Sequence, residues 1–120
     1  MVKILSLGYV EETLKARHRS LAAAGFDVTS VDKKHEALRL LLKSQRFDVV
    51  VIGHGVPVAD RNEVATKARF QQKARTIFLY RRSTTNAELA DALVAEDGKP
   101  EDLYTAIMRL VDKSARNAAG

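Results

Sequence analysis

The segment Asp48-Val49-Val50-Val51-Ile52-Gly53 constrains this chain more than any other. Its four consecutive apolar, strand-favouring residues leave no polar face. A strand built from them must be covered on both sides, as a central strand of a parallel sheet is. Gly53-His54-Gly55-Val56-Pro57 then closes the strand as a loop, by its glycines and proline.

The rest of the chain falls into strand and helix by turns. Lys3-Ile4-Leu5-Ser6-Leu7 predicts a short strand ending at Gly8. A helix follows from about Glu11, with Leu14, Leu21 and Ala22 as its apolar face and Gly25 as its stop. Residues 26–31 alternate as a second strand, Phe26 to Val31. Asp32 is placed to cap a second helix whose buried stripe is Ala37, Leu38, Leu41 and Leu42. Asp60 and Glu63 have the spacing of a capping box for a third helix reaching about Phe70. Thr76 to Tyr80 predicts a fourth strand, and Thr85 with Glu88 a second capping box opening a short helix. Ala92-Leu93-Val94-Ala95 predicts a fifth strand, and Pro100 fits the first turn of a last helix carrying Leu103, Ile107, Leu110 and Val111. Strand–helix alternation of this kind predicts a three-layer αβα, doubly wound parallel sheet. Residues 1–113 read as one domain and 114–120 as a flexible C-terminal tail.

Composition narrows the function classes. The 120 residues hold no cysteine, so disulfides, thiolate metal sites and cysteine nucleophiles are excluded. The first residues lack a signal peptide's apolar run, and no segment has the length of a membrane span. A cytoplasmic protein is the expectation. The formal net charge is +5. Along the sequence the cations are spread, with Lys33-Lys34 and Arg81-Arg82 as pairs, and no basic run with interleaved aromatics is expected. Nucleic acid is therefore an unlikely partner.

The strand–helix pattern and the segment Asp48 to Pro57 resemble the response-regulator receiver (CheY-like) family, over nearly the whole chain from Val2 to about Lys113. In that family the third strand runs from an Asp through four apolar residues to the phosphoacceptor Asp, followed by two variable residues and Met-Pro. Here Asp48 opens the strand, Val56-Pro57 stands at Met-Pro, and Gly53 stands at the phosphoacceptor. The resemblance implies a flavodoxin-like strand order 2-1-3-4-5. It also implies a degenerate phosphorylation site. The magnesium-binding acidic pair falls on Gly8 and Tyr9, the fourth-strand hydroxyl on Tyr80 and the fifth-strand lysine on Glu96. Lys99-Pro100 is the other match for that lysine, but it would force Glu96-Asp97-Gly98 into a strand. Glycine offers no nucleophile, and Gly8-Tyr9 offers a hard cation only backbone carbonyls. A pseudo-receiver without phosphotransfer follows.

Other candidates are weaker. His54, between two glycines at a strand end, has a catalytic reading and a plainer one as a loop histidine bonded to backbone. Glu11 and Glu12 are possible partners for it, or merely favour a helix N-terminus. With Gly8, Gly53 and Gly55, an open crevice is expected, lined by His54, Gly55, Arg81 and Arg82. His18 and His35 have no ligand spacing around them, and neither a metal nor an organic cofactor is expected. By the resemblance, partners or a second copy would dock on a face of the fourth helix (Thr85 to Ala90), the fifth strand (Ala92 to Ala95) and the last helix (Glu101 to Val111). Leu103, Tyr104, Ile107 and Met108 are its candidate contacts. The expected function is a non-enzymatic, phosphorylation-independent interaction module of bacterial signalling. The alternatives are a small-ligand sensor in the crevice and a weak nucleic-acid-binding accessory protein.

Overall fold

The structure is a computed structural model. It describes residues 1–43, 45–81 and 87–119, with side chains through Lys113. Among the described residues, the elements follow one another as β1 (Lys3–Leu7), α1 (Glu11–Ala23), β2 (Asp27–Val31), α2 (Lys34–Leu41), β3 (Val49–Ile52), α3 (Val58–Gln72), β4 (Arg75–Tyr80), β5 (Ala92–Ala95) and α4 (Pro100–Ala119). The sheet is parallel throughout, in the order β2-β1-β3-β4-β5. The expected flavodoxin-like fold is what forms.

The apolar run of β3 does what its composition demands. All its residues are fully buried, and they divide by strand alternation between two cores. Val49 and Val51 join Ile4, Leu21, Ile77, Leu79, Leu103 and Ile107 under α1 and α4. Val50 and Ile52 join Leu5, Leu7, Val64, Ala68 and Phe78 under α2 and α3. Each such side chain contributes about 1.5–3 kcal/mol by leaving water, which fixes β3 at the centre and its C-terminal end at the site.

Several local expectations are corrected. On α1, Ala22 is exposed, and Arg17 is the third buried residue beside Leu14 and Leu21. Asp32 does not cap α2; Lys33 holds the cap position with extended backbone. Leu42 lies past the end of α2 and is 60% exposed, while Leu38 and Leu40 pack on the core. Asp60 and Glu63 form no capping box: Pro57 precedes the helix, and both carboxylates reach Lys34 instead, at 3.4 and 3.1 Å.

The short helix expected between β4 and β5 is absent over residues 87–90, where Glu88 and Leu89 form a turn; Thr85 lies outside the described residues. The chain is held to β4 here. Thr76 Oγ1 donates to Leu89 O at 2.9 Å, and Thr76 N donates to Asp91 Oδ2 at 2.7 Å. Ala87, Leu89 and Ala90 still pack on the α2–α3 core. The last helix starts at Pro100 as expected, and its backbone continues through Ala119. Among the described residues, no helix is long and apolar enough to cross a membrane.

Candidate functional site

The C-terminal ends of β1, β3 and β5 converge on one buried arginine. Arg17 sits one turn after Leu14 on α1, and its side chain is 7% exposed. Its Nε donates to Ser6 Oγ at 3.0 Å, its Nη2 to Leu7 O at 3.3 Å, and its Nη1 to Glu96 Oε1 at 3.2 Å. Burial lowers the Arg17 pKa, and Glu96 opposes that shift. Glu96, directly after β5, is equally buried. Its second oxygen meets His54 Nδ1, accepts the His54 backbone N–H at 3.4 Å, and lies 4.0 Å from Arg81 Nε.

The glycines make room for this cluster. A Cβ on Gly8 would stand 2.8 Å from Arg17 Nη2, and one on Gly53 would stand 3.4 Å from the same atom. The guanidinium therefore fills the space between the two positions. The void left among Gly8, Tyr9, Val10, Gly53, His54 and Glu96 is about 10 Å³. Among the described residues, Arg17 and Glu96 take up the space where an open crevice was expected. A larger cavity of about 220 Å³ lies on the far side of Arg17 and Glu96, between α1 and α4, over Leu79, Val94 and Leu103.

Of the predicted residues, Gly8, Tyr9, Gly53, His54, Gly55 and Glu96 are brought together here, and Arg81 reaches the rim. Tyr80 is not: it lines a groove between β5 and α4. Arg82 lies outside the described residues. Tyr9 turns its hydroxyl to α3 and donates to Asp60 Oδ2 at 2.8 Å. Its pKa is pushed up to about 12, by burial first and then by Asp60 and Glu63. His54 is bound to a carboxylate rather than only to backbone, and that carboxylate is Glu96, not Glu11 or Glu12. Glu11 pairs with Lys15 at 2.8 Å.

The candidate face on α4 divides. Leu103 and Ile107 are core residues, and Tyr104 is clamped to α1, its hydroxyl donating to Ser20 O at 3.0 Å. Met108 alone of the four is exposed, at 49%, and Leu93 on β5 is exposed at 46%. Glu96 follows the last residue of β5, its N–H donating to Tyr80 O at 2.6 Å, so Glu96 rather than Lys99 stands at the strand end.

Magnesium does not fit here. A hard dication needs several oxygen ligands, and the place holds a guanidinium with its one carboxylate already bound to it. Among the described residues, no group of three or more His, Cys, Asp or Glu side chains could hold a metal. Arg17 was the residue missed from the sequence. Its signal was a charge on an apolar face, three residues after Leu14 and four before Leu21.

No family model matches the chain, and no curated protein matches it. Solved structures do. A CheY-like response regulator receiver domain protein from Methanospirillum hungatei has a TM-score of 0.84 at 18% identity, covering 98% of each chain. The chemotaxis response regulator CheY4 of Vibrio cholerae has a TM-score of 0.76 at 22% identity, covering 92% of this chain and 98% of that one. The receiver domain of a sensor histidine kinase from Pseudomonas aeruginosa, whose structure holds magnesium in its active-site cleft, has a TM-score of 0.79 at 18% identity, covering 92% and 98%. The chain thus has the CheY-like receiver fold, with Arg17 and Glu96 paired at the strand ends.

Proposed function

We propose that this chain is a phosphorylation-independent, non-enzymatic receiver-like module of bacterial signal transduction, acting in the cytoplasm by docking a protein. The observation that carries this reading is the Arg17 guanidinium in the space between Gly8 and Gly53. A receiver switches when a phosphoryl group and a metal enter that space. Here an internal cation and its carboxylate partner occupy it, so one conformation is held without a ligand. The receiver fold of the solved neighbours supports a role in signalling.

The docking surface is the β5 edge with the outer side of α4, where Leu93 and Met108 are exposed. A groove of about 590 Å³ runs between β5 and α4, from Leu93 and Ala92 past Thr105 and Arg109, with Met108 outside its lining. A second copy is the simplest occupant. Incubation with acetyl phosphate and magnesium, read by intact-mass spectrometry, should add no phosphoryl group. Sedimentation should show self-association that Leu93→Asp or Met108→Asp weakens. A phosphoryl adduct would overturn the first half of the proposal. A monomer at all concentrations would overturn self-docking.

A further inference from the structure

The end of α3 and the start of β4 read Lys67-Ala68-Arg69-Phe70-Gln71-Gln72-Lys73-Ala74-Arg75. This is a basic run with an aromatic inside it, contrary to the expectation of dispersed charge. Val64, Ala65, Ala68 and Gln72 face inward, whereas Phe70 is 79% exposed and belongs to neither core. The exposed side of this turn otherwise carries Arg69, Gln71 and Lys73.

The fold adds further cations. Buried Gln72 staples the α2–β3 loop to the end of α3. Its Nε2 donates to Leu41 O and Gln45 O, both at 3.0 Å, and its Oε1 accepts the Phe47 N–H at 2.8 Å. Arg46 Nη2 donates to Gln72 O at 3.4 Å. Lys43 and Arg46, both exposed, thereby belong to a loop held to the end of α3, where Lys73 follows Gln72. Lys67, Arg69, Lys73 and Arg75 follow one another through this turn, Lys43 and Arg46 stand in the loop held to it, and the carboxylates nearby include Asp48, which accepts the Lys3 backbone N–H, and Asp91. Asp91 is divided between Arg69 and Arg75, at 3.4 and 3.6 Å.

We propose that this end of the molecule binds single-stranded nucleic acid, Phe70 stacking on a base while Lys43, Arg46, Lys67 and Lys73 contact phosphates. Single strands are bound by this pairing of a basic track with an aromatic platform. An acidic peptide would use the cations and leave the Phe70 ring idle. A bilayer would call for an apolar stripe along α3, whereas the neighbours of Phe70 on its helix face are Thr66 and Lys67, with Lys73 just beyond the helix.

The test is fluorescence anisotropy with labelled single-stranded RNA and DNA of about 12 nucleotides, within the usual site sizes. Binding of either is expected in the micromolar range at low salt, with log K falling against log salt at a slope near −3 for about four phosphate contacts. Phe70→Ala should weaken binding about tenfold. Lys43→Glu with Lys73→Glu should weaken it for every sequence and flatten the salt slope. All of these positions are exposed, and circular dichroism checks the fold of each variant. No binding up to about 100 µM at low salt, the weak end of non-specific affinity, would overturn the proposal. So would binding indifferent to Phe70→Ala, or preferential binding to anionic lipid vesicles or polyglutamate.

Discussion

Arg17 and Glu96 meet at 3.2 Å with each side chain 7% exposed, joining the first helix to the residue after the last strand. Such a pair owes its value to completeness. Arg17 is also bonded to Ser6 and Leu7, and Glu96 to His54, so neither charge is left bare. Removing one partner leaves the other largely buried without its counter-charge.

Arg17→Met should therefore destabilise the fold by about 3–5 kcal/mol, leaving Glu96 buried without its cation. Arg17→Met combined with Glu96→Gln should cost clearly less than the two single losses added together. Urea denaturation of the three variants measures this coupling. Additive losses would mean that the pair is not an energetic unit.

Gly8→Ala and Gly55→Ala should behave differently although both replace loop glycines at the same edge. A Cβ at Gly8 would stand 2.8 Å from Arg17 Nη2, an atom pinned by its bond to Leu7 O. A Cβ at Gly55 would stand 3.7 Å from Val10 Cγ2, an ordinary contact. Gly8→Ala should cost about 1–3 kcal/mol, the usual range for overpacking, and Gly55→Ala should be near neutral. Thermal unfolding followed by circular dichroism separates them.

Tyr9→Phe should raise the pKa of Asp60. The Tyr9 hydroxyl bond is the largest cause holding that carboxylate below its usual value, with Lys34 adding to it. A depressed carboxylate contributes stability above its unfolded pKa and loses it as pH falls through the folded one. Tyr9→Phe should shrink that acid-side loss. The raised Tyr9 pKa acts at the other end: its contribution is complete below the ordinary tyrosine value of 10.0 and is lost as pH rises through about 12. The variant should lack this alkaline loss too. Carboxyl NMR titration of Asp60 and the pH dependence of unfolding are the measurements.

The fold was legible because its strongest signal is local. Val49 to Ile52 can only be a covered strand, and Pro100 and Gly25 mark helix ends by backbone chemistry. The caps were misread because Asp60 had better partners in Tyr9 and Lys34, which lie far off in sequence. The site was half legible. Gly8, Gly53, His54 and Glu96 were found as positions, but their relation passes through Arg17, and periodicity counts a charge as a surface residue. The link from Arg17 to Glu96 spans 79 residues, beyond any motif spacing.

Gly53→Asp should not restore phosphotransfer. The new Cβ would lie 3.4 Å from Arg17 Nη2, so the carboxylate would enter an ion pair with Arg17 in competition with Glu96. A carboxylate held by a guanidinium is a poorer nucleophile, and no metal ligands stand at Gly8 and Tyr9 to offset the phosphoryl charge. Each missing contact at such a transition state costs about a hundredfold in rate. Acetyl phosphate with magnesium should leave the intact mass of Gly53→Asp unchanged, and beryllofluoride should not shift its amide resonances. The variant should instead be disturbed at Glu96 and His54, as Arg17 divides its donors between two carboxylates, and amide shifts at both residues would read that out. Labelling of the single variant would show that Arg17 yields the space to a phosphoryl group, and the guanidinium would then be a gate that opens.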